Sequence, residues 1–336
     1  SLYRLRRQNM ENYIVRGTDK NKSFRFFGAN TTGVVGEAVK NHGTSPVVSA
    51  ALGRTMTGTL MMGNMLKNDN DRVCVMIKGD GPIQGITVEA DAKGNVKGYP
   101  HVPVVDIPKK ENGKLDVSGA IGNALMIVKK DIGLKEPYTG QIAMLSGEIA
   151  EDFSYYFATS EQTNTVVALG VLVDRDYSIK QSGGFIIQVL PDATDEDITK
   201  LEEKLKTFTS LTTYMEEGKS IEDVIMMLLG DDAEMMDRTE VRFHCDCSRE
   251  NMERALISLG RKELQEIVND DQEDLELVCH FCNHKYEFDK QSIVELLEEV
   301  ADEPEVVLDE GQEIVFDLGG DSEIVFELGG PEETQE

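Results

Sequence analysis

Four of the five cysteines stand in two close pairs, and this spacing constrains the fold more than any other feature of the chain. Cys245 and Cys247 have one residue between them, and Cys279 and Cys282 have two. Two close pairs joined by a long loop are typical of a tetrahedral four-thiolate site, and Zn²⁺ is the ion that best suits such ligands. The spacing therefore predicts one zinc ion per chain, bound by these four residues.

The first pair is unusual, because most structural zinc sites have two residues within each cysteine pair. A single spacer leaves the sulfurs of Cys245 and Cys247 close enough for a short, strained disulfide with a relatively oxidising potential. Zinc keeps its ligands as thiolates, which peroxide and hypochlorous acid attack, so the ion can be lost as the thiols pair. The spacing alone leaves a redox switch and a purely structural zinc ribbon equally open.

The sequence around these cysteines resembles the heat-shock protein 33 family of redox-regulated chaperones. The two motifs stand in the contexts Phe-His-Cys-Asp-Cys-Ser at 243–248 and Val-Cys-His-Phe-Cys at 278–282. The resemblance covers about residues 10 to 300. Upstream of the cysteines, it includes residues 49–56, 79–83, 146–148 and 183–188.

The resemblance implies a function and a set of roles. The four cysteines would bind zinc when reduced, and pair as Cys245–Cys247 and Cys279–Cys282 when oxidised. Residues 192–240 would then unfold and expose a surface that binds unfolding client proteins. The implied activity is that of an ATP-independent holdase, switched on by oxidative and heat stress, whose active form is a homodimer.

Charge and hydropathy exclude other classes of protein. The net charge is −28, and residues 301–336 carry 13 acidic groups and no basic one. An acidic surface repels phosphate backbones, which argues against nucleic-acid binding. No apolar run approaches the ~20 residues that span a bilayer, and the first residues lack the apolar centre of a secretory signal. Free thiols in metal spacing favour a reducing compartment, so we expect a cytoplasmic protein with no membrane partner.

Residues 10–191 alternate helix and strand patterns separated by short turns, which predicts an α+β domain with a mostly antiparallel sheet. A long, buried helix is predicted over 45–66, because Pro46 opens a stretch rich in small residues and methionine. A second helix is predicted over 148–158. Strands are predicted over 72–78, 83–90, 96–99, 138–145, 165–173 and 184–190.

This domain lacks the motifs of an active site. The glycine-rich stretch 79–85 has neither the ending of a phosphate loop nor the spacing of a dinucleotide fingerprint, so it predicts a hairpin turn and no nucleotide. His42 and His101 have no evident nucleophile partner, and we predict that the protein is not an enzyme. Cys74 lies within a strand pattern, which favours a buried, inert thiol.

Residues 192–240 form a predicted helical linker. Thr194 and Ser220 each precede an acid by three residues, the pattern of a capped helix start. The helices that follow are too short to be stable alone, so their order must depend on docking their apolar faces. A segment of this kind suits controlled unfolding, and its apolar side chains are the predicted client-binding residues: Ile198, Leu201, Leu205, Ile221, Ile225, Leu228 and Leu229.

Residues 241–300 form the predicted zinc module, with two short helices around Gly260 and a closing helix. About 60 residues build only a small core, so the metal is expected to hold the module together. Residues 313–320 recur almost unchanged at 323–330, and this acidic tail is predicted to be disordered, with a hairpin as the alternative. Residues 1–9 are predicted to be an N-terminal arm or a cloning remnant before Met10.

A different class of protein remains as the alternative to the chaperone. A zinc ribbon without redox chemistry would act as a constitutive adaptor for a protein partner. Zinc content and suppression of client aggregation, before and after oxidation, distinguish the two.

Overall fold

The computed structural model describes residues 12–270, 274–299, 314–317 and 323–326. The chain divides into two compact units, with the boundary between His244 and Cys245. The predicted zinc module starts earlier, at residue 241. The difference arises because the backbone amides of Arg242 and His244 bond to Gly94 and Val96, which belong to the first unit. The predicted arm at residues 1–9 lies outside the described residues.

The first unit contains two sheets. The five-stranded sheet has the order β10-β1-β2-β9-β8 and is antiparallel throughout. The six-stranded sheet has the order β11-β5-β4-β3-β6-β7, and its one parallel pair is β11 with β5. The predicted α+β class with mostly antiparallel strands is thus confirmed. In chain order the elements are β1 (Tyr13–Asp19), β2 (Phe24–Asn30), α1 (Thr32–His42), α2 (Pro46–Asn64), β3 (Arg72–Gly79), β4 (Gly85–Asp91), β5 (Asn95–Pro100), α3 (Val117–Ile121), β6 (Ala124–Asp131), β7 (Tyr138–Ala143), α4 (Ala150–Ser160), β8 (Thr165–Val173), β9 (Ile179–Val189), α5 (Asp195–Thr207), α6 (Leu211–Glu216), α7 (Ile221–Leu229), β10 (Ala233–Glu240) and β11 (Arg242–Phe243).

Helix α2 lies between the two sheets, where it contacts β8 and β9 of one and β3, β4 and β5 of the other. Almost every side chain along it is buried, as predicted. Its polar residues are compatible with burial because Thr55, Thr57 and Thr59 donate their hydroxyls to carbonyls four residues earlier. Gly58 lets the helix approach α4, since a Cβ there would lie 2.5 Å from the Phe153 ring. None of the helices in the described ranges has the length and apolar character that a membrane span needs.

The sequence pattern located most of these elements and missed some. The strands predicted between 72 and 190 are present, with ends shifted by up to about five residues. Strands β1 and β2 were not predicted, because both faces of each are mostly buried and the alternation of polar and apolar residues is lost. Strand β10 was missed for the opposite reason. Its sequence AEMMDRTE is polar and low in β-branched residues, so only pairing with β1 makes it a strand.

Helices α5, α6 and α7 cover the other face of the five-stranded sheet. Their buried side chains form a second core with Tyr13, Val15, Phe24, Phe26 and Phe185 of the sheet. The capping boxes predicted at the two helix starts are present, since Thr194 accepts from the amide of Asp197 and Ser220 from that of Asp223. The predicted linker thus contains three helices between residues 195 and 229 and ends in strand β10. All of it belongs to the first unit.

The second unit contains α8 (Arg249–Leu259), α9 (Arg261–Asn269), a hairpin of β12 (Asp274–Val278) and β13 (Lys285–Asp289), and α10 (Lys290–Glu299). The three predicted helices are present, and the hairpin was not predicted. The small core of the second unit consists of buried apolar side chains from all of these elements: Met252, Leu256, Leu264, Leu277, Phe288, Ile293, Leu296 and Leu297.

In the tail, each repeat unit supplies one strand. Strand β14 (Ile314–Asp317) pairs antiparallel with β15 (Glu323–Phe326), with Ile314 opposite Phe326. This is the hairpin that the sequence left as the alternative. The rest of the predicted disordered tail lies outside the described residues.

Candidate metal centre

The four sulfur atoms of the predicted site lie together in the second unit. The Sγ atoms of Cys245 and Cys279 are 3.7 Å apart, and those of Cys247 and Cys282 are 3.4 Å apart. All four lie within 4.8 Å of one another, and they form the one group of potential metal donors found in the described ranges. The structure thus brings together residues that are more than 30 positions apart in the chain.

Two local turns present these sulfurs. Cys245 and Cys247 precede α8, whose first turn is capped by the Ser248 hydroxyl accepting from the amide of Asn251. Cys279 and Cys282 lie in the turn of the β12–β13 hairpin. There the Cys279 amide donates to the His284 carbonyl at 2.9 Å, and the Asn283 amide donates to the Cys279 carbonyl at 2.7 Å. Asn283 has a φ of 61°, a left-handed conformation that asparagine tolerates better than most residues.

The arrangement fits a zinc ion. A Zn–S bond of about 2.3 Å implies an edge of about 3.8 Å for a tetrahedron of sulfurs. The contacts of 3.4 and 3.7 Å are close to that edge and far longer than the ~2.05 Å of a disulfide. Four soft sulfur donors also match the ligand preference of zinc over harder cations. None of the five cysteines forms a disulfide in this structure, so the four sulfurs are free to ionise to the thiolates that bind metal.

Hydrogen bonds within the cluster separate the pKa values of the thiols. The pKa of Cys247 is lowered, because Cys245 first, then the other two thiols and the Tyr286 hydroxyl, donate to its thiolate. The pKa of Cys245 is raised, chiefly because it is the donor to Cys247. The cluster therefore favours a thiolate before any metal binds, and thiolate is the form that both zinc and oxidants require.

Tyr286 is a member of the site that the sequence analysis missed. Its hydroxyl donates to Cys247 Sγ at 3.2 Å, and its ring contacts His284 edge to face at 4.7 Å between centroids. Burial, followed by the hydrogen bond to Cys247, raises the pKa of Tyr286 and keeps the hydroxyl protonated. The sequence signal was weak, since the tyrosine lies in a strand whose pairing was not predicted. His244, His280 and His284 flank the cysteines in the sequence, and all three are outside the group of donor atoms found among the described residues.

The predicted client-binding residues lie on α5 and α7, in the first unit. Leu201, Ile221, Ile225 and Leu228 are buried, and Ile198, Leu205 and Leu229 are half-buried. Ile221 sits directly over the sheet, since a Cβ on Gly28 would lie 2.4 Å from its Cγ2. These side chains are covered in this structure, so any role in binding requires the helices to leave the sheet.

Cys74 lies in β3, opposite Glu89 on one side and Lys129 on the other. It is half-buried, whereas the sequence predicted a buried thiol. The reason is the alternation along β3, in which Val73 and Val75 take the core positions and Cys74 points to the other face.

Comparison with known proteins agrees with this fold and site. The family model described as Hsp33 protein matches residues 12–289. The 33 kDa chaperonin of Ruminiclostridium cellulolyticum is 48% identical over 291 residues, which cover 86% of this chain and 99% of that protein. The 33 kDa chaperonin of Clostridioides difficile is 46% identical over 293 residues, covering 87% and 100%.

A solved structure supports the same conclusion. The crystal structure of the 33 kDa chaperonin, or heat shock protein 33 homolog, of Thermotoga maritima matches with a TM-score of 0.82 at 34% identity. The match covers 86% of this chain and 98% of that one. This α+β protein with a four-cysteine module therefore belongs to the Hsp33 family of chaperones, as the resemblance in the sequence indicated.

Proposed function

We propose that this protein is a redox-regulated, ATP-independent holdase that binds unfolding proteins and prevents their aggregation under oxidative and heat stress. The observation that carries the proposal is the cluster of four sulfurs within 4.8 Å, in a chain whose relatives are named 33 kDa chaperonin. The proposal includes no enzymatic step and no nucleotide. The proposal also includes unfolding proteins as clients, a homodimer as the activated form and a cytoplasmic location.

In the reduced state, Cys245, Cys247, Cys279 and Cys282 hold one zinc ion, which stabilises the second unit. The core of that unit is small, and binding of a structural zinc contributes on the order of 10 kcal/mol. The chaperone is inactive in this state, because α5, α6 and α7 cover the apolar face of the five-stranded sheet.

Oxidation removes the zinc ligands in pairs. Two thiolates of one pair, Cys245 with Cys247 or Cys279 with Cys282, give two electrons to one peroxide molecule, which takes up two protons from the solvent. The pair becomes a disulfide, and the peroxide becomes two water molecules. The second pair would consume a second peroxide, and the two disulfides would leave no thiolates that could hold a zinc ion.

Unfolding of the zinc module affects the client-binding helices because a short segment of the chain connects them to it. Residues 233–243 form β10 and β11, and Cys245 follows two residues later. When the second unit unfolds, the chain that continues from β11 is no longer folded, and helices that are stable only when docked can open with mild heat. Activation then needs both oxidation and linker opening.

The test measures zinc content and suppression of aggregation of a heat-unfolded client, before and after peroxide treatment at mildly raised temperature. The reduced protein should hold one zinc and leave the client to aggregate, and the oxidised protein should release the zinc and suppress aggregation. A Cys279→Ser variant serves as a control, because it should lose zinc without unfolding the first unit. A protein that keeps its zinc and shows no gain of activity after oxidation would be the constitutive zinc-ribbon adaptor instead.

A further inference from the structure

Strand β10 is held to the first unit mainly by its backbone. It pairs with β1 over seven residue pairs, from Tyr13 opposite Glu240 to Asp19 opposite Ala233. Its side chains are exposed apart from Ala233 and Thr239, which are half-buried. Its ion pair to β1 joins Arg16 and Asp237, both about half exposed, and surface pairs of this kind contribute little. It is the edge strand of its sheet, and among the strands that the structure describes it pairs with β1 alone.

Strand β1, in contrast, is anchored independently of β10. Its side chains are mostly buried, and it pairs with β2 along its other edge. If β10 leaves, β1 stays in place and presents a row of backbone amides and carbonyls without partners. An open edge of this kind is a template for another extended chain.

The side chains of β10 beside those of β1 are mostly polar, and Arg238 contacts both the Tyr13 ring and Glu222 of α7. On the face covered by α5–α7, β10 places Arg238 beside Val15 and Glu240 beside Tyr13. Both β1 residues belong to the apolar core of that face. Arg238 lies over the Tyr13 ring, with its Cζ 3.6 Å from the centroid. An apolar side chain at either position would bury more apolar area than the charged side chain does.

We propose that the edge of β1 is a client-binding site, which takes an extended segment with alternating apolar side chains as an added β-strand in place of β10. This inference rests on the proposed holdase function. The client backbone would pair with β1, and every second side chain would lie on the apolar face that α5–α7 uncover. Strand β10 is then a weak internal occupant that keeps the site closed until the linker opens.

The hydrogen-bond pattern identifies which backbone groups the site offers. The Val241 amide donates to the Asn12 carbonyl at 3.1 Å, just beyond the end of β10. Because antiparallel pairs alternate, Ile14 with Thr239 is the next hydrogen-bonded pair. The Arg238 amide donates to its neighbour Asp237 at 2.8 Å, which agrees with an outward direction for alternate amides of β10.

This alternation gives a matched pair of variants. Thr239→Pro removes an amide that bonds β1, whereas Glu240→Pro removes one that faces away from the sheet. In the reduced, zinc-loaded full chain, Thr239→Pro should free the β1 edge and bind a fluorescent octapeptide of alternating valine and threonine, more weakly than the oxidised chain does because α5–α7 still cover the apolar face. Glu240→Pro should behave as the unchanged protein. Circular dichroism and zinc content check that both variants fold.

The decisive comparison uses two modified forms of the same octapeptide on the oxidised, unmutated chain. N-methylation of its threonines blocks the amides that pair with β1 when the valines lie on the apolar face. N-methylation of its valines blocks the amides on the edge of the peptide that faces away from β1. We expect the first modification to weaken binding at least about tenfold relative to the second, and the β1 amides that face β10, those of Ile14 and Arg16, to regain hydrogen-exchange protection when a client binds.

Equal binding of the two modified peptides would overturn strand addition, because apolar contact alone would then explain the affinity. Strand addition would also be overturned if the β1 amides that face β10 stayed unprotected in a complex that suppresses aggregation. A failure of the holdase function looks different, since the oxidised protein would then fail to suppress aggregation at all. If Thr239→Pro does not fold, the peptide comparison on the unmutated chain still decides the matter.

Discussion

The two faces of the five-stranded sheet are both covered by helices, but the two covers are built differently. The inner cover is built around α2, a helix of 19 residues that is buried on nearly all sides between two sheets, with α1 and α4 beside it. The outer cover consists of three helices of 13, 6 and 9 residues, each with one side in solvent. A continuous helix with many partners opens only when the whole unit unfolds, whereas short docked helices open locally.

The attachment of the outer cover is also partly polar. Tyr13 of β1 donates its hydroxyl to Glu222 of α7 at 2.6 Å, and Ser23 donates to Asp197 of α5 at 2.9 Å. These bonds fix the positions of the helices while most of the stabilisation comes from the buried side chains of the second core. One face of the sheet therefore carries the core around α2, and the other carries a second core built with shorter helices.

The largest expected effect comes from a change in the inner cover. Leu60 in α2 is fully buried, and Leu60→Ala should lower the free energy of unfolding of the first unit by about 2 to 5 kcal/mol. Denaturant unfolding followed by circular dichroism measures it, with the exposed Leu125→Ala as the matched control. If Leu60→Ala instead activated the reduced chaperone without loss of global stability, the inner cover would be removable too.

The difference between the covers is partly visible in the sequence. The capping patterns at Thr194 and Ser220 and the apolar faces of α5 and α7 predicted docked helices, because helix signals are local. The sheet surface on which these helices dock was not predictable, because β1 and β2 lack the alternation of polar and apolar residues and contain glycines such as Gly28. The need for glycine there becomes clear only when Ile221 is seen above it.

The metal centre shows the same limit. Cysteine spacing predicted all four members of the sulfur cluster, because ligand pairs in short turns are encoded locally. Tyr286 was not predicted, since its contact with Cys247 depends on the pairing of β12 with β13. Strand β10 was missed because its own residues do not favour a strand and its partner lies more than 200 residues away.

The next largest effect is expected in the outer cover. Leu228 of α7 is buried in the second core, and Leu228→Ser should weaken docking by about 3 kcal/mol, or roughly a hundredfold in the open population. The variant should therefore suppress aggregation of a client while reduced and zinc-loaded. Met226→Ser, on the exposed side of the same helix, is the control. A variant that stays inactive until it is oxidised would show that the outer helices are not what keeps the chaperone off.

A smaller effect is expected when the metal centre is changed and both covers are left intact. Tyr286→Phe removes the hydrogen bond to Cys247 but keeps the ring, so the zinc Kd should rise about tenfold and peroxide should release zinc faster. A chromogenic zinc chelator follows the release, with the exposed Tyr177→Phe of the first unit as the control. Unchanged affinity and release rate in Tyr286→Phe would mean that the hydroxyl does not stabilise the Cys247 thiolate.

The smallest effect concerns pH and the start of α5. The pKa of Asp197 is lowered, first by the hydrogen bond from the Thr194 hydroxyl, then by the Thr194 amide, the Ser23 hydroxyl and the charge of Lys200. A carboxyl with a lowered folded-state pKa stabilises the docked helix fully above its ordinary pKa near 4, and this contribution is lost as the pH falls through the folded value.

The hydrogen-exchange protection factors of amides 195–207, corrected for the intrinsic exchange rate at each pH, should therefore fall on acidification before those of α2 do. The reason is that the outer cover loses this cap while α2 has no acidic residue in its first turn. Asp197→Asn should show faster exchange already at neutral pH and a weaker acid response. Asp195→Asn removes the same charge from the same helix turn without removing the cap, so it should keep the acid response of the unchanged protein. If α2 and α5 lost protection together in the unchanged protein, the outer cover would not open separately and the contrast between the two faces would fail.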